Sequence, residues 1–122
     1  MSDFTYPREA RLTAPADYER VYSQRHRVSD ARLLVYAAVS TLPFTRAGFS
    51  ISRKHGSSVA RHRLKRLLRE AFRLSRPELP PGLDLIVIPQ AGAPATMDEY
   101  RWSLGRLVQK VARRLRPGTE SG

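Results

Sequence analysis

The chain has 122 residues, enough for one domain with one modest core, and an apolar content of 41% excludes a disordered polycation. Its formal charge is +11, from 22 bases against 11 acids, and only Lys54, Lys65 and Lys110 are lysine. The excess is therefore arginine, whose planar fork suits phosphates and stacks on bases, so the default partner is a polyanion. The lack of cysteine excludes disulfides, thiolate catalysis and cysteine zinc sites. No apolar run approaches the roughly 18 residues of a membrane span, and MSDFTYPREARL has no signal-peptide core. These features predict a soluble, cytoplasmic chain folded as a single domain over residues 1–122 with a polyanionic partner.

Residues 1–12 read as an extended N-terminal arm and 117–122 as a flexible tail. LTAPADYERVYSQRHRV reads as a short helix, with Thr13 as N-cap and Pro15 in the first turn. Tyr18, Val21, Tyr22 and Arg25 share one of its faces. ARLLVYAAVS (31–40) is a strand, apolar and bounded by turn residues. RAGFSISRK (46–54) alternates, with Phe49 and Ile51 on one side and Ser50 and Ser52 on the other. Gly56 and the serines after it break that strand, and a helix follows from Ser57 or Ser58. RPELPPG turns the chain into LDLIVIP (83–89), a short buried strand. TMDEYRWSLGRLVQKVARRL (96–115) is the last helix. Thr96 and Glu99 form a capping box, and Leu104, Leu107, Val108, Val111 and Leu115 form its apolar stripe. Arg113, Arg114 and Arg116 suit its C-terminal dipole as a solvated end. The predicted order is α-β-β-α-β-α, with a third early strand if residues 31–54 divide differently. That mixture predicts an α+β sandwich.

The middle helix carries the charge. On a helical wheel Ala60, Leu64, Leu67, Leu68, Ala71 and Phe72 gather on one side, as core. Lys65, Arg66, Arg69 and Arg73 gather on the other, and Arg61 and Arg63 sit in the first turn. A solvated helix interleaves glutamate with its bases, because opposite charges at i,i+4 are favourable. Here Glu70 is the lone acid, and the stacked cations call for a polyanion. The helix start offers free N–H groups to phosphate, beside Arg53 and Lys54.

At these residues AGFSISRKHGSSVARHRLKRLLREAFR, followed by LPPGLDLIVIPQAGA, resembles the protein subunit of bacterial ribonuclease P. Gly48, Ser50, Ser52, Arg53, Lys54, Gly56, Val59, Arg61, Arg63, Lys65, Arg66, Arg69, Glu70 and Phe72 fall in register with the family pattern. DYERVY and LLVY upstream resemble it as well, so the likeness runs from about residue 8 to 115. It implies a two-layer α+β sandwich of a mixed four-stranded sheet packed with helices, with a left-handed βαβ crossover around the basic helix. The general rule for such crossovers is the right-handed form. It also implies an RNA-binding domain over residues 1–122, in partnership with a large catalytic RNA and with precursor tRNA, whose 5′ leader the complex removes. The RNA and its bound magnesium perform the hydrolysis, with magnesium held mainly by the RNA subunit and the substrate and no obligate protein partner.

By position, the resemblance assigns RNA binding to Arg53, Lys54, Arg61, His62, Arg63, Lys65, Arg66 and Arg69. It assigns the leader cleft to Tyr18, Tyr22, Tyr36, Ser50 and Ser52, and no catalytic residue to the protein. Unpaired bases stack on aromatic rings in a basic groove; core packing of the first helix is the alternative role for Tyr18 and Tyr22. His62 departs from the family pattern, which has asparagine there. Neutral histidine offers one donor and one acceptor, and protonated histidine only donors, so an oxygen ligand to metal is lost at this position. Two rivals stand beside this reading. One is a ribosomal or RNA-chaperone protein without a dedicated catalytic RNA. The other is a protein-only nuclease, which would need a cluster of carboxylates that the sequence does not display.

Overall fold

The computed structural model describes residues 7–92 and 95–115. Elements run in the order α1 (Pro15–Ser23), β1 (Arg27–Ser29), β2 (Leu33–Val39), β3 (Arg46–Phe49), α2 (Ser58–Ser75), β4 (Leu83–Pro89) and α3 (Met97–Leu115). Short 3-10 turns at Arg8–Ala10, Arg53–His55 and Arg76–Glu78 join them. Residues 1–6 of the expected arm, the expected tail and Arg116 lie outside the described residues. From Pro7 onward the arm is tied to the sheet: Arg11 bridges Ala47, and the Leu12 N–H donates to the Ala47 carbonyl at 3.0 Å.

The four strands form one mixed sheet in the order β1-β2-β4-β3. β1–β2 and β2–β4 are antiparallel, and β3–β4 is parallel. β3, α2 and β4 thus make a βαβ crossover between adjacent strands. Period-two alternation sorts side chains to the two faces. Leu33, Val35, Ala37, Ala47, Phe49, Leu83, Leu85 and Val87 pack under α2 and α3, against Leu68, Phe72, Leu104, Leu107, Val108 and Val111. On the opposite face Leu12, Val21, Ala38 and Ile86 form a smaller cluster beneath α1, flanked by Tyr18, Tyr36 and Ile88.

The first predicted helix is cut short. Arg25 takes a left-handed φ of 60° after the last turn of α1, and the following residues form β1 rather than continuing the helix. Val28 is buried in β1 and registers with Val35, so sheet pairing overrides a weak helical periodicity. Thr13 does not cap α1: Ala14 is its N-cap, extended at ψ 132° as a residue before proline prefers to be. The predicted strand 46–54 ends at Phe49, because Ser52 turns the chain into Arg53–His55. LDLIVIP is β4 to the residue, and of the two serines that could cap α2 it is Ser57 that does so, accepting from the Ala60 N–H at 3.2 Å. The capping box of α3 is reciprocal, with Thr96 N–H donating to Glu99 Oε1 at 2.9 Å and Glu99 N–H to Thr96 Oγ1 at 3.2 Å. Those bonds, with Arg32 nearby, hold the Glu99 carboxyl below the usual carboxylate range. Among the described residues no helix is long and apolar enough to cross a membrane.

Candidate nucleic-acid interface

The sheet face beneath α1 is built in rows. Tyr36 on β2 and Gly48 on β3 both register with Ile86 on β4, giving a row Tyr36–Ile86–Gly48. Tyr18 descends from α1 onto the glycine end of that row. A Cβ at position 48 would lie 2.1 Å from the Tyr18 hydroxyl, 2.7 Å from its Cζ and 2.9 Å from the Leu12 carbonyl oxygen. Only glycine leaves that space. Burial, together with Tyr22, pushes the Tyr18 phenol up, and a hydrogen bond from the Phe49 backbone offsets part of that rise. Gly48→Ala should therefore displace the Tyr18 ring and cost about 1–3 kcal/mol, as overpacking does. A urea midpoint unchanged from wild type would show instead that the ring swings aside freely.

Tyr22 stands above Tyr36 edge-on, with ring centroids 4.9 Å apart and an interplanar angle of 76°. Tyr18 and Tyr22 are 6.5 Å apart and tilted. The three tyrosines assigned to the cleft thus form one contiguous wall and floor. Tyr22 keeps 36% of its surface exposed while Val21 beside it is fully buried. Tyr18 and Tyr36 are half-buried against the cluster of Leu12, Val21, Ala38 and Ile86, and Tyr22 alone of the three is exposed. Ser50 extends the same face beyond Gly48, its N–H donating to the Val87 carbonyl at 3.0 Å. Ser52 sits past the end of β3, in the turn that leads to α2.

Ion pairs fix α1 over this face. Asp84 projects from β4 between Ala38 and Arg46, in the row next to Ile86, and is fully buried. Arg46 grips it with two parallel bonds, Nε to Oδ1 at 2.9 Å and one terminal nitrogen to Oδ2 at 2.7 Å. Arg20 of α1 reaches the same Oδ2. Asp17, one turn earlier, lies 3.6 Å from Arg46 and 3.7 Å from Arg20. The hydrogen bonds to Asp84 push Arg46 further above its already high ordinary value. Sequence reasoning passed over this cluster, although a lone acid inside LDLIVIP in an arginine-rich chain was a signal for it.

The cations of α2 divide into two flanks. Arg61, His62 and Lys65 line a groove of about 220 Å³ with Phe49, Ile51 and Ser58. One turn on, Lys65 and Arg69 line another with Arg11, Leu12, Thr13, Tyr18, Gly48 and Phe49. This flank is therefore continuous with the tyrosine cleft around the β3 edge. Arg63 faces elsewhere, into a groove shared with Lys54, Gly56, Leu64, Leu67 and Tyr100. Arg66 is exposed on the outer side of the helix, and Arg53 is exposed in the preceding turn. Arg73 is engaged by Glu70 through bonds of 3.0 and 2.5 Å, which hold that carboxyl below its usual range. Arg61 and Arg63, both in the first turn, are two positions apart and so point to different sides of the helix, and they line different grooves.

His55 is a tie. Its Nδ1 accepts from the Ser52 N–H at 3.0 Å and its Nε2 meets the Pro89 carbonyl at 2.6 Å. The Pro89 carbonyl can only accept, so Nε2 donates to it. The entry to α2 is thereby fastened to the end of β4. His62 is exposed and lies with Arg61 and Lys65. Among the described residues no group of three or more His, Asp or Glu could hold a metal ion.

A family model described as Ribonuclease P matches residues 6–112. The ribonuclease P protein component of Oleidesulfovibrio alaskensis is 37% identical over 106 residues, covering 85% of this chain and 82% of that protein. That of Marinobacter nauticus is 37% identical over 122 residues, covering 98% and 91%. Among solved structures, the RNase P protein of Staphylococcus aureus superposes with a TM-score of 0.72 at 31% identity, over 85% of this chain and 95% of that one. The RNase P protein of Thermotoga maritima gives 0.75 at 25% identity, over 82% and 96%.

Proposed function

The chain belongs to the bacterial ribonuclease P protein family, and from that premise we propose how its surfaces divide the work of assisting 5′ leader removal from precursor tRNA. α2 docks on the catalytic RNA through the flank carrying Arg61, His62, Lys65 and Arg69, through the exposed Arg66 and Arg53, and through Arg63 and Lys54 in the groove on its other side. The cleft of Tyr18, Tyr22 and Tyr36, with Ser50 and Ser52 along its β3 side, takes the unpaired leader. The observation that carries this reading is the shared groove in which Lys65 and Arg69 meet Tyr18 and Gly48. A strand lying over the tyrosines would pass directly onto cations, which is how aromatic platforms and basic grooves hold single-stranded RNA.

Among the described residues magnesium finds no donor set that fits it as a resident, and the one fully buried acid, Asp84, is taken by Arg46 and Arg20. Magnesium held mainly by the RNA subunit and the substrate supplies the chemistry of phosphodiester hydrolysis. The protein's residues bind and orient: guanidinium groups take backbone phosphates, the tyrosines take bases, and Asp84 holds the cleft wall in place. His62 serves the same docking flank, as a hydrogen-bonding group where the family pattern has asparagine.

Reconstitution of 5′ maturation, with and without the catalytic RNA, tests the assignment of chemistry. Cleavage is expected only with the RNA; metal-dependent cleavage by RNA-free protein would overturn it. Tyr22→Ala tests the cleft. Base–aromatic stacking is worth about 1–3 kcal/mol, so precursor tRNA binding should weaken roughly 5- to 150-fold while mature tRNA binding stays level. A folded Tyr22→Ala protein with an unchanged precursor-to-mature affinity ratio would return Tyr22 to a packing role.

A further inference from the structure

A second cationic surface lies on α3. From Arg101 to Arg114 this helix carries Arg101, Arg106, Lys110, Arg113 and Arg114 and no acid. Helical spacing places Trp102, Arg106, Gln109 and Arg113 in one row with Lys110 alongside, a stripe about 16 Å long. The inward side of the same helix is core, with Leu104, Leu107, Val108 and Val111 buried.

Trp102 is the only tryptophan of the chain, and 59% of its surface is exposed. The Arg106 guanidinium lies 4.9 Å from its ring centroid and that of Arg32 5.7 Å. Arg32 is held there by Ser103 Oγ and Glu99 Oε2, each at 3.3 Å. Acids border the stripe on both sides of Trp102: Glu78 and Asp98 line a groove with Trp102 and Gln109, and Asp30 lies close enough to Arg106 to feel its charge, whereas Lys110 and Arg113 beyond them carry the cationic end. Asp98 and Glu99 occupy the first turn of α3, and Asp30 accepts the N–H groups of Arg32 and Leu33. An indole left open between guanidinium groups forgoes burial that a core position would provide. Both guanidinium groups lie over the ring, so a base of unpaired RNA stacks by displacing one of them, and the cation thus released is at hand for the adjoining phosphate.

The two basic surfaces are separate. α2 and α3 pack side by side on one face of the sheet, but α3 also lies over β1 and β2 and α2 over β3, and β1 and β3 are opposite edges, so their outward flanks face away from each other. Three strand spacings, about 14 Å, lie between those edges. One segment bound along the flank of α2 therefore leaves the α3 stripe free for another. We propose that the Trp102 stripe is a further nucleic-acid contact, beyond the α2 flank and the tyrosine cleft, which takes an unpaired RNA segment with a base stacked on Trp102 and adjoining phosphates on Arg106 and Arg113. This surface lets one small subunit hold a third RNA segment besides the two that the proposed function assigns.

The lone tryptophan makes the test direct. The full chain is titrated with a single-stranded oligoadenylate while Trp102 emission and the anisotropy of the labelled oligonucleotide are followed together. Emission is expected to fall severalfold as the oligonucleotide saturates. Heparin, a polyanion without bases, should bind without a comparable quench. Arg106→Glu with Arg113→Glu, both exposed positions that should leave the circular dichroism unchanged, should abolish the quench. Tyr22→Ala should retain it, which separates this surface from the leader cleft. Saturation without quenching, an equal quench by heparin, or an equal quench in the double variant would overturn the proposal. So would an emission change that follows protein concentration without RNA and accompanies dimerisation in sedimentation, since the stripe would then seat a second copy of the chain.

Discussion

Asp84→Asn should destabilise the protein by about 3–5 kcal/mol, the cost of removing one partner from a buried ion pair. The carboxylate is fully buried and is shared by Arg46 and Arg20, whose side chains retain 19% and 37% exposure. Because water can reach both guanidinium groups in part, the lower end of that range is expected. The loss should be visible as a lower urea midpoint with an unchanged slope. A second measurement isolates the cluster from simple packing: Arg46→Met alone and combined with Asp84→Asn completes a double-mutant cycle. The costs should be strongly non-additive, since the second substitution removes a charge that the first left unpaired. Additive costs would mean that the two groups act independently. Where Asp84→Asn still folds, α1 loses its anchor, so precursor tRNA binding should weaken although Asp84 itself touches no RNA.

Leu68→Ala and Arg66→Ala, two residues apart on α2, should give opposite kinds of result. Leu68 is 2% exposed and packs in the main core, so truncation should cost about 2–5 kcal/mol through the cavity it leaves. Its effect on RNA affinity should vanish at temperatures where the variant is fully folded. Arg66 is exposed, and its loss should leave stability almost unchanged. Each phosphate contact removed should flatten the log–log salt dependence of RNA binding by roughly 0.7 to 0.9. The same holds for Arg63→Ala, on the other flank. Arginine variants that unfold at lower urea while keeping the wild-type salt slope would contradict the division of α2 into an apolar and an RNA-facing side.

Much of the fold was legible because its signals are local. The capping box at Thr96 and Glu99, the Ser57 cap, the core stripe of α2 and the apolar run 83–89 each depend on residues a few positions apart. β1 was not legible: residues 27–29 have no pattern of their own and become a strand only by pairing with β2. The same distinction runs through the candidate interface. The cationic side of α2 is a property of its helical period, and the tyrosines stand out by residue type. Their union is not local. Tyr18, Tyr36 and Gly48 are joined by the register of three strands with one helix laid across them.

By itself, the amino-acid sequence determined that this is a small arginine-rich α+β domain with one amphipathic basic helix, because charge, period and capping act within single elements. It also carried the family resemblance, which rests on spaced residues in one continuous segment. Only the tertiary structure decided that Asp84, an acid inside an apolar strand, is the anchor of α1, because its partners come from positions 20 and 46. Only there do Arg61 and Arg63, already turned apart by the helical period, acquire separate grooves, as α2 meets different neighbours on its two flanks. Trp102 belongs with these: the apolar stripe of α3 did not include it, and its exposure followed from which side of that helix the sheet and α2 cover, a choice made by long-range packing rather than by any residue beside it.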